Sequence, residues 1–257
     1  MKQEFILSID AEKFRSTNNL WNDLKLNDPW SVGYVSSLIE TKDWQTKEEW
    51  ETFYYESGKV RKTLVENCRN KSILENFSLP FFNKGDLISS LSWDDKNLNF
   101  QYGRTQEDLM DRANFLHKNI KPNAIQLTLD ECFECVRFRT ICETWNGIVI
   151  RENNTILTLK RLFPQIEFRK TEGNIDHTFA VDYELFKNDI LICGIQIKPK
   201  SYLGHAPYLE KARYANQKKY AAYKELHNVD VLTIISKTNG MIENKEIIDC
   251  IRTKNHL

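Results

Sequence analysis

Asp182, Gln196 and Lys198 form a set whose types and spacing suit chemistry on a phosphate. Thirteen positions separate Asp182 from Gln196, and Lys198 follows two residues on. They sit in two runs of strand character, Phe179 to Phe186 and Ile190 to Ile197, joined by Lys187-Asn188-Asp189 as a hairpin loop. Side chains alternate across a strand, so Phe179, Val181, Tyr183 and Leu185 should form an apolar face and Ala180, Asp182 and Glu184 the opposite one. On the second run Gly194, Gln196 and Lys198 face away from Ile195 and Ile197. Pairing Phe186 with Ile190 sets Asp182 across from Gly194 and beside Gln196. A carboxylate, a carboxamide and an ammonium then meet next to a residue with no side chain.

A divalent cation such as Mg²⁺ takes oxygen ligands, commonly one or two carboxylates completed by water and substrate phosphate. Asp182 supplies a carboxylate, while Gln196 and the main-chain carbonyl of Ile197 supply neutral oxygens. Glu184, on the face of Asp182, is a further candidate ligand. Lys198 can hold or deprotonate an attacking water, or offset charge on the scissile phosphate. Glu152, near a helix start, can support the metal shell, although the helix dipole alone favours an acid there. A lone Asp or Lys on a strand ordinarily faces solvent. Their coincidence on one face is what points to a site for metal-assisted phosphodiester hydrolysis.

The elements around the hairpin must position these groups. Glu152 to Phe163 has apolar residues at helical spacing and stops at Pro164. Ile166 to Phe168 reads as a short strand, and Pro199 ends the hairpin because proline cannot continue a ladder. Tyr208 to His227 reads as a long helix and Val229 to Ser236 as a strand. This order predicts an α/β core over residues 126–257, with a mixed sheet flanked by helices. Residues 1–125 read as helices, with starts at the capping box Thr46-Lys47-Glu48-Glu49 and at Thr105, and a third helix opens near Asp130. This half is expected to serve DNA recognition or dimerisation. Phe77 to Tyr102, rich in Ser, Asn and Asp, is left unassigned.

The 257 residues carry 36 basic and 36 acidic side chains, a formal net charge of zero. The balance is uneven along the chain. Lys198 to Lys224 holds seven basic residues against Glu210 alone, with tyrosines interleaved, whereas residues 1–100 hold 13 basic and 16 acidic. The basic stretch begins at the proposed site, where a phosphate backbone would lie. Lys200, Ser201 and Tyr202, then Lys211, Arg213 and Lys218, are the candidate DNA contacts. Base-reading side chains could come from Arg61, Lys62 and Arg69 or from the loop near Arg104.

Fifteen Gly and Pro residues are few for this length, which favours long regular elements and disfavours a glycine-rich nucleotide loop. Cys132, Cys135 and Cys142 share one helix face and read better as packing residues than as zinc ligands. No apolar run is long enough to span a bilayer, so a soluble, cytoplasmic protein is expected.

The strings Val181-Asp182-Tyr183-Glu184 and Gly194-Ile195-Gln196-Ile197-Lys198 resemble the PD-(D/E)XK nuclease superfamily, with Gln196 standing where an acid is usual. Thr144-Trp145-Asn146-Gly147-Ile148 with Arg151-Glu152, the stretch from Gly194 to Tyr202, and Tyr54-Tyr55-Glu56-Ser57-Gly58 with Arg61 are similar to the MjaI-type family of type II restriction endonucleases. The resemblance implies a restriction-endonuclease-like core and a homodimeric, Mg²⁺-dependent enzyme cutting double-stranded DNA at a short palindrome, CTAG for the prototype. A catalytically inactive nucleic-acid-binding relative, or a resolvase or exonuclease, is the alternative that Gln196 keeps open.

Overall fold

The computed structural model describes residues 2–27, 29–33, 35–67, 98–120, 126–171 and 173–255. The chain divides into two compact units, Met1–Asn146 and Gly147–Leu257, later than the position 125 read from the sequence. Among the described residues no helix is long and apolar enough to cross a membrane.

The first unit is helical: α1 (Ala11–Ser16), α2 (Asn18–Asp23), α3 (Pro29–Val32), α4 (Val35–Ile39), α5 (Lys47–Glu66), α6 (Gln106–Asn119) and α7 (Leu129–Arg137), followed by a π-helical turn, Phe138–Cys142. Three helices start on reciprocal capping boxes, Thr46 with Glu49, Thr105 with Asp108 and Thr128 with Glu131. In each, two amide groups that lack an intrahelical partner are satisfied by side chains. Trp50, Tyr54, Leu109, Ala113, Leu116, Cys132, Cys135, Val136, Ile141 and Cys142 are buried. The three cysteines are free, and burial pushes the Cys132 thiol up to about 12. Among the described residues no group of three His, Cys, Asp or Glu is placed to hold a metal.

The two motifs of this unit have structural work. The Ser57 hydroxyl accepts the Gly103 N–H at 2.9 Å and donates to the Tyr54 carbonyl at 2.9 Å. Gly58 lies so close to the Arg104 backbone that a Cβ there would sit 2.2 Å from the Arg104 carbonyl carbon. Arg61 and Arg104 both donate to the Asn99 side-chain oxygen, at 2.8 and 2.7 Å. They are 8% and 1% exposed, so both guanidinium groups serve the interior of this unit; Arg69 lies outside the described residues. Trp145 donates to the Gln3 carbonyl at 2.8 Å, and Asn146 pairs with both main-chain groups of Phe5.

The π-helical segment Trp145–Glu152, which begins at the end of the first unit, leads into α8 (Asn153–Leu162) and β1 (Glu167–Lys170) of the second. Then follow α9 (Gly173–Phe179), β2 (Tyr183–Lys187), β3 (Ile190–Lys198), the 3₁₀ turn Lys200–Leu203, α10 (Pro207–His227), β4 (Val231–Ile235) and α11 (Glu246–Asn255). The sheet order is β1-β2-β3-β4, antiparallel except for the parallel β3–β4 pair. One face carries Phe168, Tyr183, Leu185, Cys193, Ile195, Ile197 and Ile234 in a core with Ile156 and Leu159 of α8, Phe163 just after it, and Ile251 of α11. The mixed sheet flanked by helices is the restriction-endonuclease-like α/β fold expected.

Two expectations for the hairpin change. The first strand begins at Tyr183, because Phe179 ends α9 and Ala180 takes φ +55°. Phe179 packs edge-on to Tyr223 and Val181 lies beside Gly194, so neither joins Tyr183 and Leu185 on the apolar face. The register also differs: Glu184, not Asp182, is opposite Gly194. Asn188 and Asp189 both take positive φ, which makes a two-residue type I′ loop and pairs Lys187 with Ile190. A bulge between Leu185 and Phe186 supplies the second one-residue shift.

Candidate active site

The corrected register leaves Asp182 one step before β2, level with Gln196. Asp182 N–H donates to the Ile195 carbonyl at 2.9 Å, and Ile197 N–H donates to Asp182 Oδ2 at 2.6 Å. Thr171 holds the approach to Asp182 from β1's side. Its N–H and hydroxyl both donate to the Asp182 carbonyl, at 3.2 and 3.1 Å, and the hydroxyl also reaches the Val181 carbonyl. Asp182 is 8% exposed, and among the described residues its Oδ1 has no hydrogen-bond partner. Burial raises its carboxyl to about 6, against the opposing pull of the Lys198 charge and the Ile197 N–H.

Lys198 ends β3 on the strand that carries Gln196, and its charge acts on Asp182. Its carbonyl accepts the Ser236 N–H at 3.0 Å, and the Ser236 hydroxyl bonds Thr155 of α8 at 2.8 Å. The first turn of α8 therefore lies at the same end of the sheet as Lys198. Glu152 enters that neighbourhood as the residue immediately before α8.

The polar face of the hairpin is covered by α10. Gln196, 3% exposed, accepts at Oε1 from Asn216 Nδ2 at 3.1 Å and from the Tyr220 hydroxyl. Tyr220 also bonds Thr233, the residue beside Gln196 on β4, at 3.1 Å. Glu184 accepts from the Tyr223 hydroxyl under the same helix. Asn216, Tyr220 and Tyr223 fall at helical spacings of four and three, a polar stripe that could have marked the covering face in the sequence. Thr171 carries no comparable signal.

The donor set fits a cation with few protein ligands. Asp182 offers a carboxylate oxygen that makes no hydrogen bond among the described residues. The N–H and C=O of one strand residue point the same way, so the Ile197 carbonyl lies on the edge from which its N–H reaches Asp182. Glu152 is the acid of the neighbouring helix, whereas Glu184 is engaged by Tyr223. Such a set leaves most coordination positions to water and phosphate, as suits Mg²⁺.

Beyond Lys198 the basic stretch separates by role. Arg213 donates to the carbonyls of Tyr202, at 2.6 Å, and Gly204, at 2.8 Å, so it holds the 3₁₀ turn against α10. Tyr202 accepts from Asn216 at 3.0 Å. Ser201 and Lys211 are exposed, and Lys200 is 79% exposed with its ammonium 3.9 Å from Glu243. Lys218 lies 4.6 Å from the centre of the Tyr214 ring. Lys224 pairs with Asp230 at 2.7 Å, at the start of β4 and away from Lys198.

A mixed sheet with an acid and a lysine at one end of a hairpin defines the α/β core of a restriction-endonuclease-like protein. The family model for the MjaI restriction endonuclease matches residues 17–243, and the chain belongs to that family. No curated protein and no solved structure matches it.

Proposed function

We propose that the protein is a Mg²⁺-dependent type II restriction endonuclease that hydrolyses phosphodiester bonds of double-stranded DNA at a short palindrome as a two-fold homodimer. The observation that carries this reading is Asp182, a buried carboxylate with one oxygen unpartnered among the described residues and the charge of Lys198 acting on it. Asp182, the Ile197 carbonyl and Glu152 would hold the ion. When bound, the ion supplies Lewis-acid activation of water and charge compensation on phosphate. Lys198 orients or deprotonates the water and steadies the developing charge on the phosphate. Lys200, Ser201, Tyr202, Lys211 and Lys218 line the backbone, and Arg213 keeps the turn that presents three of them.

The test is digestion of a fully sequenced plasmid with purified protein and Mg²⁺, with the product ends sequenced. Discrete fragments ending at one palindrome support the reading, CTAG being the first site to compare. No cleavage of a varied DNA panel overturns it. The engaged oxygen of Gln196 favours a second reading, a binding protein of the same fold that does not cut. That protein would bind DNA in a salt-sensitive manner, unaffected by EDTA.

A further inference from the structure

We infer that Gln196 serves the reaction through its amide NH₂, as a hydrogen-bond donor to the phosphate being cut, and that its oxygen is not a metal ligand. The inference rests on the nuclease reading above. A carboxamide oxygen has two lone pairs, and both are filled from α10 by Asn216 and Tyr220. Tyr220 is itself fixed by Thr233, and Asn216 by Tyr202. To ligate an ion, the oxygen would have to abandon both donors.

The carboxamide is planar, so fixing its oxygen toward α10 fixes its NH₂ away from that helix. Among the described residues Gln196 Nε2 makes no hydrogen bond, and the atom keeps a narrow contact with solvent although the residue as a whole is 3% exposed. A donor left open on an otherwise buried and fixed side chain is available to an outside acceptor. Its surroundings point to the kind of acceptor: Asp182 lies level with it across the hairpin, and Lys198 two residues along the same strand. A phosphate oxygen is an acceptor without a donor of its own. Gln196 and Lys198 would grip it together, and the amide adds no negative charge to repel it. The substitution of Gln for an acid at this position then exchanges a cation ligand for a substrate contact.

Two variants test this. Gln196→Met removes oxygen and NH₂ alike at similar volume, and Gln196→Glu keeps the acceptor that Tyr220 and Asn216 hold. Mn²⁺ affinity is measured by calorimetry without DNA, and plasmid cleavage under single-turnover conditions in Mg²⁺. Melting curves confirm that the variants are folded. The expected result is Mn²⁺ binding by Gln196→Met within about twofold of wild type, with cleavage by both variants slowed about tenfold, as loss of one hydrogen bond to a charged group implies. A tenfold or greater loss of Mn²⁺ affinity in Gln196→Met, or wild-type or faster cleavage by Gln196→Glu, would overturn the inference. Asp182→Asn binding Mn²⁺ as tightly as wild type overturns the underlying nuclease reading, and the inference with it.

Discussion

The main-chain N–H of Ile197 donates to Oδ2 of Asp182 at 2.6 Å. This bond ties the acid to the strand that ends in Lys198, so the carboxylate and the ammonium are positioned by one β-strand. It also commits one carboxylate oxygen, while the other makes no hydrogen bond among the described residues.

Asp182 is held in the metal-free protein at a cost. Burial raises its carboxyl to about 6 from an ordinary 3.8. The folded form therefore keeps the proton longer than the unfolded chain. Its contribution to stability is fully present below pH 4 and is lost as pH rises through 6. In EDTA, Asp182→Asn should raise Tm at pH 8, by an amount equivalent to at most about 3 kcal/mol, with little effect at pH 4. Thermal melts across that range check it, and cleavage by this variant should be absent.

Lys198→Ala removes the charge that acts most strongly on Asp182. Plasmid cleavage should fall by roughly 10²–10⁴-fold, the range for losing a group that moves or steadies a proton. DNA binding in EDTA should weaken far less, since one lysine among several basic groups is lost. A gel-shift titration beside the cleavage assay separates the two effects.

Arg213 and Lys218 both lie on α10 and have different expected phenotypes. Arg213→Ala frees the Tyr202 and Gly204 carbonyls and should lower stability by about 1–2 kcal/mol as well as weaken DNA binding. Lys218→Ala should leave stability unchanged and reduce the salt dependence of binding by about one unit of slope. Urea unfolding and anisotropy titrations at several salt concentrations distinguish them.

Gly58→Ala places a methyl group 2.2 Å from the carbonyl carbon of Arg104. Backbone cannot yield as a flexible side chain does, so a destabilisation of at least about 2–3 kcal/mol is expected. Ala ordinarily favours a helix over Gly, so denaturation showing a gain in stability would refute the close contact.

Helix starts were legible because they are local. Thr46 with Glu49 and Thr105 with Asp108 cap across three residues, and such pairs act wherever the chain goes. The extent of β3 and its stop at Pro199 were legible for the same reason. The short α9 carried no periodic signal, and it hid where the first strand begins.

What the sequence by itself determined was the set of groups and their order: Asp182, Gln196 and Lys198 around a hairpin, followed by a basic helix. Tertiary structure decided how each group is used. A type I′ loop and a bulge moved Asp182 level with Gln196. Asn216 and Tyr220, twenty and twenty-four residues away, took the Gln196 oxygen. Arg61 and Arg104 were drawn inside by Asn99. These outcomes depend on partners distant in the chain, and the spacing of residues along one segment does not encode which distant donor will reach a buried oxygen.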